Sequence, residues 1–138
     1  MKTKIRIALL IVAAIAATLL FSCAPPAVSI DERISDFITS LNGDRTDTYT
    51  NLDPSTAAYS TTKSAGFWNT TVFSATKPYT YSPTSPSEST PTDVEITIYD
   101  SSAVSLGVFQ FVMVNIGDKS DNWVIHDLMT PPGGAHVF

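Results

Sequence analysis

Between Val94 and Tyr99 apolar and polar residues alternate strictly, with Val94, Ile96 and Ile98 on one side. That period of two predicts a strand with one buried face. The run from Val104 to Asn115 differs. Leu106, Val108, Val112 and Val114 fall on one side, and Phe109, Phe111 and Met113 on the other. A strand apolar on both sides is a central strand with something covering each face. Asp100–Ser102 reads as the turn between the two, and Ile116–Asp121 as the next. Asn122–Met129 then predicts a last strand, and Pro78–Ser82 an edge strand.

Upstream the period changes. Ile30, Ile34, Phe37, Ile38 and Leu41 recur at helical spacing and define one face of a helix over 30–42. Ser29 and Glu32 fit a capping box at its start, Asp31 and Glu32 suit the positive end of its dipole, and Gly43 is a natural stop. The stretch 44–52 is rich in Thr and Asn, which lowers helix propensity, and predicts a short second helix at most. Asp53-Pro54 reads as an N-cap and first helical position leading toward Tyr59. Phe67, Trp68, Val72 and Phe73 read as core residues of a third helix or a strand, with the helix favoured. The Ser/Thr/Pro-rich stretch 82–92 is a loop, and the segment 131–138, opened by two prolines and two glycines, is expected to be a flexible tail. Helices first and strands afterwards make an α+β domain over 29–130, with the N-terminal helix packed on an antiparallel sheet of about four strands.

The first 22 residues have another character. Lys2, Lys4 and Arg6 precede Ile7–Phe21, which carries no charge. A basic start followed by a short apolar run is a secretory signal pattern. Fifteen residues at 1.5 Å each reach roughly 22 Å, short of the bilayer core of about 30 Å. The only cysteine, Cys23, follows directly, and Ala24-Pro25-Pro26 after it reads as an extended tether over 23–28. A disulfide within the chain has no second cysteine.

Leu20-Phe21-Ser22-Cys23 resembles the lipobox of bacterial lipoproteins, with Leu three residues before the Cys and a small residue directly before it. Phe21 is bulkier than the usual residue at its position. The resemblance implies cleavage after Ser22, diacylglyceryl transfer to the Cys23 thiol and acylation of the new amine. Two or three acyl chains at about 0.8 kcal/mol per buried CH₂ hold stably where one does not. The expected location is the cell envelope. Ala24 is not the Asp that often retains lipoproteins at the inner membrane, which favours the outer membrane, with the outer leaflet of the plasma membrane as the alternative.

Charge narrows the partners. The chain carries 8 basic and 13 acidic residues, a net charge of −5. Losing the three basic residues of the signal would leave five against 13. Arg33, Arg45, Lys63, Lys77 and Lys119 form no basic stripe, which argues against nucleic acid. No phosphate loop, dinucleotide fingerprint or nucleophile elbow is present, and His126 and His136 lack the company a metal site needs. No cofactor is expected.

Helix, short helices and then a long hairpin ending in Asn122-Trp123-Val124-Ile125-His126-Asp127-Leu128 is similar to the nuclear transport factor two-like and cystatin-like superfamily. Ile38–Asp44 is similar to the end of that superfamily's first helix. The resemblance implies a cone in which a curved sheet wraps the long helix, often around a small-ligand pocket. Tyr99, Phe109, Phe111, Trp123 and Asp127 are the candidate pocket residues; Tyr79 and Tyr81 complete the aromatic set, and Tyr49 is available by type, with Tyr99 and Asp127, for the Asp-base and Tyr-donor roles of ketosteroid isomerases in that superfamily. The plainer reading is that they are core aromatics and solvated acids. Three functions stay open: a non-catalytic binding or accessory domain with a small ligand or protein partner, an isomerase- or dehydratase-type enzyme on the same fold, and a self-associating envelope protein, including a homodimer through the sheet.

Overall fold

The computed structural model describes residues 27–74, 76–82, 92–118 and 121–138. The expected signal segment, Cys23 and most of the Ser/Thr/Pro-rich stretch lie outside these residues. The structure is α+β. Helix α1 (Ile30–Asn42) is followed by a 3₁₀ turn (Thr48–Asn51), short helices α2 (Ala57–Thr61) and α3 (Ala65–Asn69), and a 3₁₀ turn (Val72–Ser74). One antiparallel sheet follows, ordered β1 (Thr80–Tyr81), β2 (Thr92–Tyr99), β3 (Ser105–Asn115), β4 (Trp123–Thr130) and β5 (Ala135–His136). Among the described residues no helix is long and apolar enough to cross a membrane.

Helix α1 has the bounds its periodicity predicts. The Ser29 hydroxyl accepts the Glu32 N–H at 3.2 Å, which satisfies one of the amides a helix start leaves open. At the other end the Gly43 N–H donates to Thr39 and Ser40 carbonyls. The left-handed residue that turns the chain is not this glycine but Arg45, at φ 71°. A non-glycine residue held there needs support from its surroundings. Arg45 has it: Nε donates to the Leu41 carbonyl at 3.0 Å, Nη1 to Trp68 O and Asn69 Oδ1, and Nη2 to the Tyr79 hydroxyl. One buried guanidinium thus joins α1, α3 and the approach to β1.

The core lies between α1 and one face of the sheet. Ile34, Phe37, Ile38 and Leu41 of α1 meet Val94, Ile96, Ile98, Phe109, Phe111, Met113, Ile125 and Leu128, all buried. The register explains why these residues share a face: Val94 opposes Phe111, Ile96 opposes Phe109, and Phe111 opposes Leu128. Trp68 and Phe73 close one end, and the Trp68 indole N–H donates to the Thr62 carbonyl at 3.0 Å. Each such side chain contributes about 1.5–3 kcal/mol on burial.

Three expectations are corrected. The sheet has five strands, not four. Residues 131–138 are not a loose tail: β5 pairs with Met129 and Thr130, the Val137 N–H donates to Leu128 O, and Phe138 packs edge-on against Trp68. Asp53 does not cap a helix. The N-cap of α2 is Thr56, and Asp53 is used elsewhere.

The polar interior gives a paired prediction. Arg45→Met removes the four charge-assisted hydrogen bonds from one guanidinium to Leu41 O, Trp68 O, Asn69 Oδ1 and the Tyr79 hydroxyl, at about 1.5–3 kcal/mol for each one lost. Urea titration is expected to show a stability loss of roughly 3 kcal/mol or more. Thr48 is also buried, yet its hydroxyl has no hydrogen-bond partner. Thr48→Val is therefore expected to be neutral or to stabilise by about 1 kcal/mol in the same titration.

Candidate functional site

The polar groups that converge do so at one irregularity of the sheet. β3 and β4 pair from Asn115–Trp123 to Met113–Ile125, then slip and resume at Val112–Asp127. His126 is the additional residue of this bulge. A bulge sets two residues against one and re-aims their side chains. The outer edge of β4 is also divided here. Leu52 bridges Ile125 on one side, with the Asp53 N–H donating to Ile125 O at 2.8 Å, and β5 covers the other side. Each flanking segment supplies a partner for one bulge residue.

His126 Nδ1 lies 2.8 Å from Asp53 Oδ2. The Asp53 side chain is 6% exposed and the His126 ring 47%. Asp53 Oδ1 also accepts the Ser55 N–H at 2.8 Å. Burial pushes the Asp53 carboxyl up, but the bonds from His126 and Ser55 outweigh it and hold it below its ordinary value. An ionised carboxylate only accepts, so the Nδ1 of His126 carries the proton. In its neutral form His126 keeps Nε2 as an acceptor, on a ring that is half in solvent. Such an imidazole can take a proton or contribute one ligand to a metal. Among the described residues, no group of three or more His, Cys, Asp or Glu side chains could hold a metal ion.

The second pair is His136 Nδ1 with Asp127 Oδ2, at 2.7 Å and with 63% and 22% exposure. Asp127 Oδ1 also accepts the Leu128 N–H at 2.8 Å. At this exposure the pair contributes little stability but fixes β5 laterally on β4.

The candidate pocket residues are not gathered in one place. Phe109 and Phe111 are fully buried under α1, Phe111 edge-on to Phe37 at 5.7 Å and Phe109 stacked on Phe73 at 5.5 Å. Trp123 is half-buried beside the core, and its carbonyl accepts Arg33 Nε at 2.7 Å. Arg33 also donates to Asn51 Oδ1 and Asn122 Oδ1, which joins α1, the first 3₁₀ turn and the start of β4. Tyr99 is half-buried at the end of β2, opposite Thr80 and Ser105. Tyr79 is core, Tyr81 packs against it, and Tyr49 meets Tyr59 edge-on beneath the Lys63 ammonium. Asp127 belongs to the bulge.

The Asp53–His126 pair was not visible in the sequence. The two residues are 73 positions apart, and the local signal at Asp53-Pro54 is that of a helix start. Only the bridge from Leu52 to Ile125 brings them together. No family model matches the chain, and neither a curated protein nor a solved structure matches it.

The depressed Asp53 carboxyl sets a pH dependence. Its stabilisation is complete above the ordinary carboxylate range and is lost as pH falls through the folded-state value. The stability difference between the native chain and Asp53→Asn is thus expected to be largest above about pH 5 and to shrink toward about pH 3. Urea titrations of both proteins across that range measure it; a constant difference would contradict the assignment.

Proposed function

We propose that the protein is a lipid-anchored lipoprotein of the cell envelope whose folded domain is a non-catalytic binding or accessory module. The fold is read as a cone, with the sheet curving around α1. The observation that carries the non-catalytic reading is the aromatic packing between α1 and the sheet. Phe37, Phe73, Phe109 and Phe111 pack ring to ring where the fold resemblance puts a ligand pocket. The lipid anchor rests on the sequence of the first 24 residues. Val28 bridges Asn122 only five positions after Cys23, so the acidic domain starts next to the attachment point. Its charge keeps it off an anionic surface by repulsion. The outer membrane is the favoured location.

Cys23→Ala is expected to abolish incorporation of labelled fatty acid and to leave a longer, unprocessed precursor. Normal labelling and processing of that variant would refute the lipoprotein assignment.

A second reading, a small proton-transfer enzyme, has one observation in its favour: the half-exposed His126 ring oriented by buried Asp53. It predicts an activity that His126→Gln lowers by about 10²-fold or more. A screen of isomerase and dehydratase substrates that finds none turned over in a His126-dependent way would count against it.

A further inference from the structure

The face of the sheet turned away from α1 carries its own pattern. Val108, Gln110, Val112 and Val114 alternate with the buried Phe109, Phe111 and Met113 along β3. Val108 is 39% exposed and Ile116 just past the strand 43%, while Val112 and Val114 are half-buried and Val124, opposite Val114, is buried. A strand apolar on both faces belongs in a sheet covered on both, yet α1 covers only one. From Val108 to Val114 the stripe runs about 20 Å at 3.3 Å per residue.

Charge distinguishes what can cover it. Asp93 stands directly opposite Val112 and Glu95 directly opposite Gln110, and both acids are exposed. Cross-strand neighbours at this separation share one surface. The described basic residues are engaged elsewhere. Arg33 binds Trp123 O and two asparagines, Arg45 is buried, Lys63 lies over Tyr49 and Tyr59, and Lys77 donates to the Gly43 carbonyl. The face is thus an apolar stripe beside acids with no described lysine or arginine near them. A second copy would bring this acid-bearing face against itself, and an anionic bilayer would be repelled. An occupant with apolar residues on one side and lysine or arginine beside them satisfies both features.

We infer that the face of β2–β3 turned away from α1, with Val108, Val112 and Val114 beside Asp93 and Glu95, docks a cationic amphipathic helix of a partner protein. The helix lies opposite α1 across the sheet, on a face that no described helix covers. Its apolar side lies on the valines and its cations reach the two carboxylates. This names the partner chemistry of the binding domain proposed above and rests on that reading.

The test uses the full-length chain in a nonionic detergent and a fluorescent synthetic helix with leucine on one face and lysine on the other. Fluorescence anisotropy gives the affinity. Two double variants shift net charge equally: Asp93→Lys with Glu95→Lys on the face, and Asp36→Lys with Asp47→Lys away from it. The first is expected to weaken binding by about tenfold or more and the second by less than about threefold. A peptide with serine for leucine is expected to bind at least about tenfold more weakly. Equal losses in the two double variants, equal binding of the serine peptide, or displacement of the helix by formation of a homodimer on this face would overturn the inference. Each variant's thermal transition shows that it is folded. Fatty-acid labelling at Cys23 is scored separately, so failure of the docking surface is distinct from failure of the lipoprotein reading.

Discussion

The ring of Phe37 is the point on which the rest of the domain depends. It meets Trp68 at 5.6 Å, Phe73 at 6.0 Å and Phe111 at 5.7 Å, each edge to face. These three rings come from α3, the second 3₁₀ turn and β3. One helical side chain therefore holds together segments with little intrinsic order. Helices α2 and α3 are five residues each, far shorter than a helix stable alone in water. Their conformation is imposed by what they pack on. The aromatic contacts fix orientation as well as burial, because edge-to-face pairs have a preferred geometry.

Two buried or half-buried arginines perform the polar half of the same task. Arg33 ends on carbonyl and amide oxygens, Arg45 on such oxygens and the Tyr79 hydroxyl, and among the described residues neither ends on a carboxylate. Burial pulls the Arg33 pKa down against the opposing pull of Asp36 and Glu32. A guanidinium presents five N–H donors in one plane, so it can satisfy several irregular backbone segments at once. That suits a region where the chain between α1 and β1 forms little regular hydrogen bonding of its own.

Where the sequence was informative, the reason is periodicity. Ile30 to Leu41 could bury a face only as a helix, and Val94 to Ile98 only as a strand. The bounds of both follow from caps and turns that act within a few residues. The region 44–74 was harder to read because its conformation is set at long range. Asp53 looks like a helix cap until Leu52 is paired with Ile125, and Arg45 looks like an exposed loop residue until Trp68 and Tyr79 close over it. The C-terminus misled for a similar reason. Pro131 to Gly134 read as the end of order, but those residues form the turn that returns the chain to β4. Of the candidate site, His126 and Asp127 were visible as residue types. Their partners, Asp53 and His136, were not visible, because a β-bulge and a split strand edge leave no local signature.

The placement of Val28 has a mechanical consequence. Its N–H donates to Asp121 O, and its carbonyl accepts from the Trp123 N–H, so it is held by two bonds at the beginning of β4. Any pull arriving through the residues before it is met first by this bridge and by the sheet, before it reaches the capped start of α1 at Ser29. The same strand carries β5 on its far half. β4 therefore acts as a beam that takes load at one end from the incoming chain and holds the outgoing chain at the other. The helix and its aromatic contacts are shielded from tension that arrives through the residues before Val28.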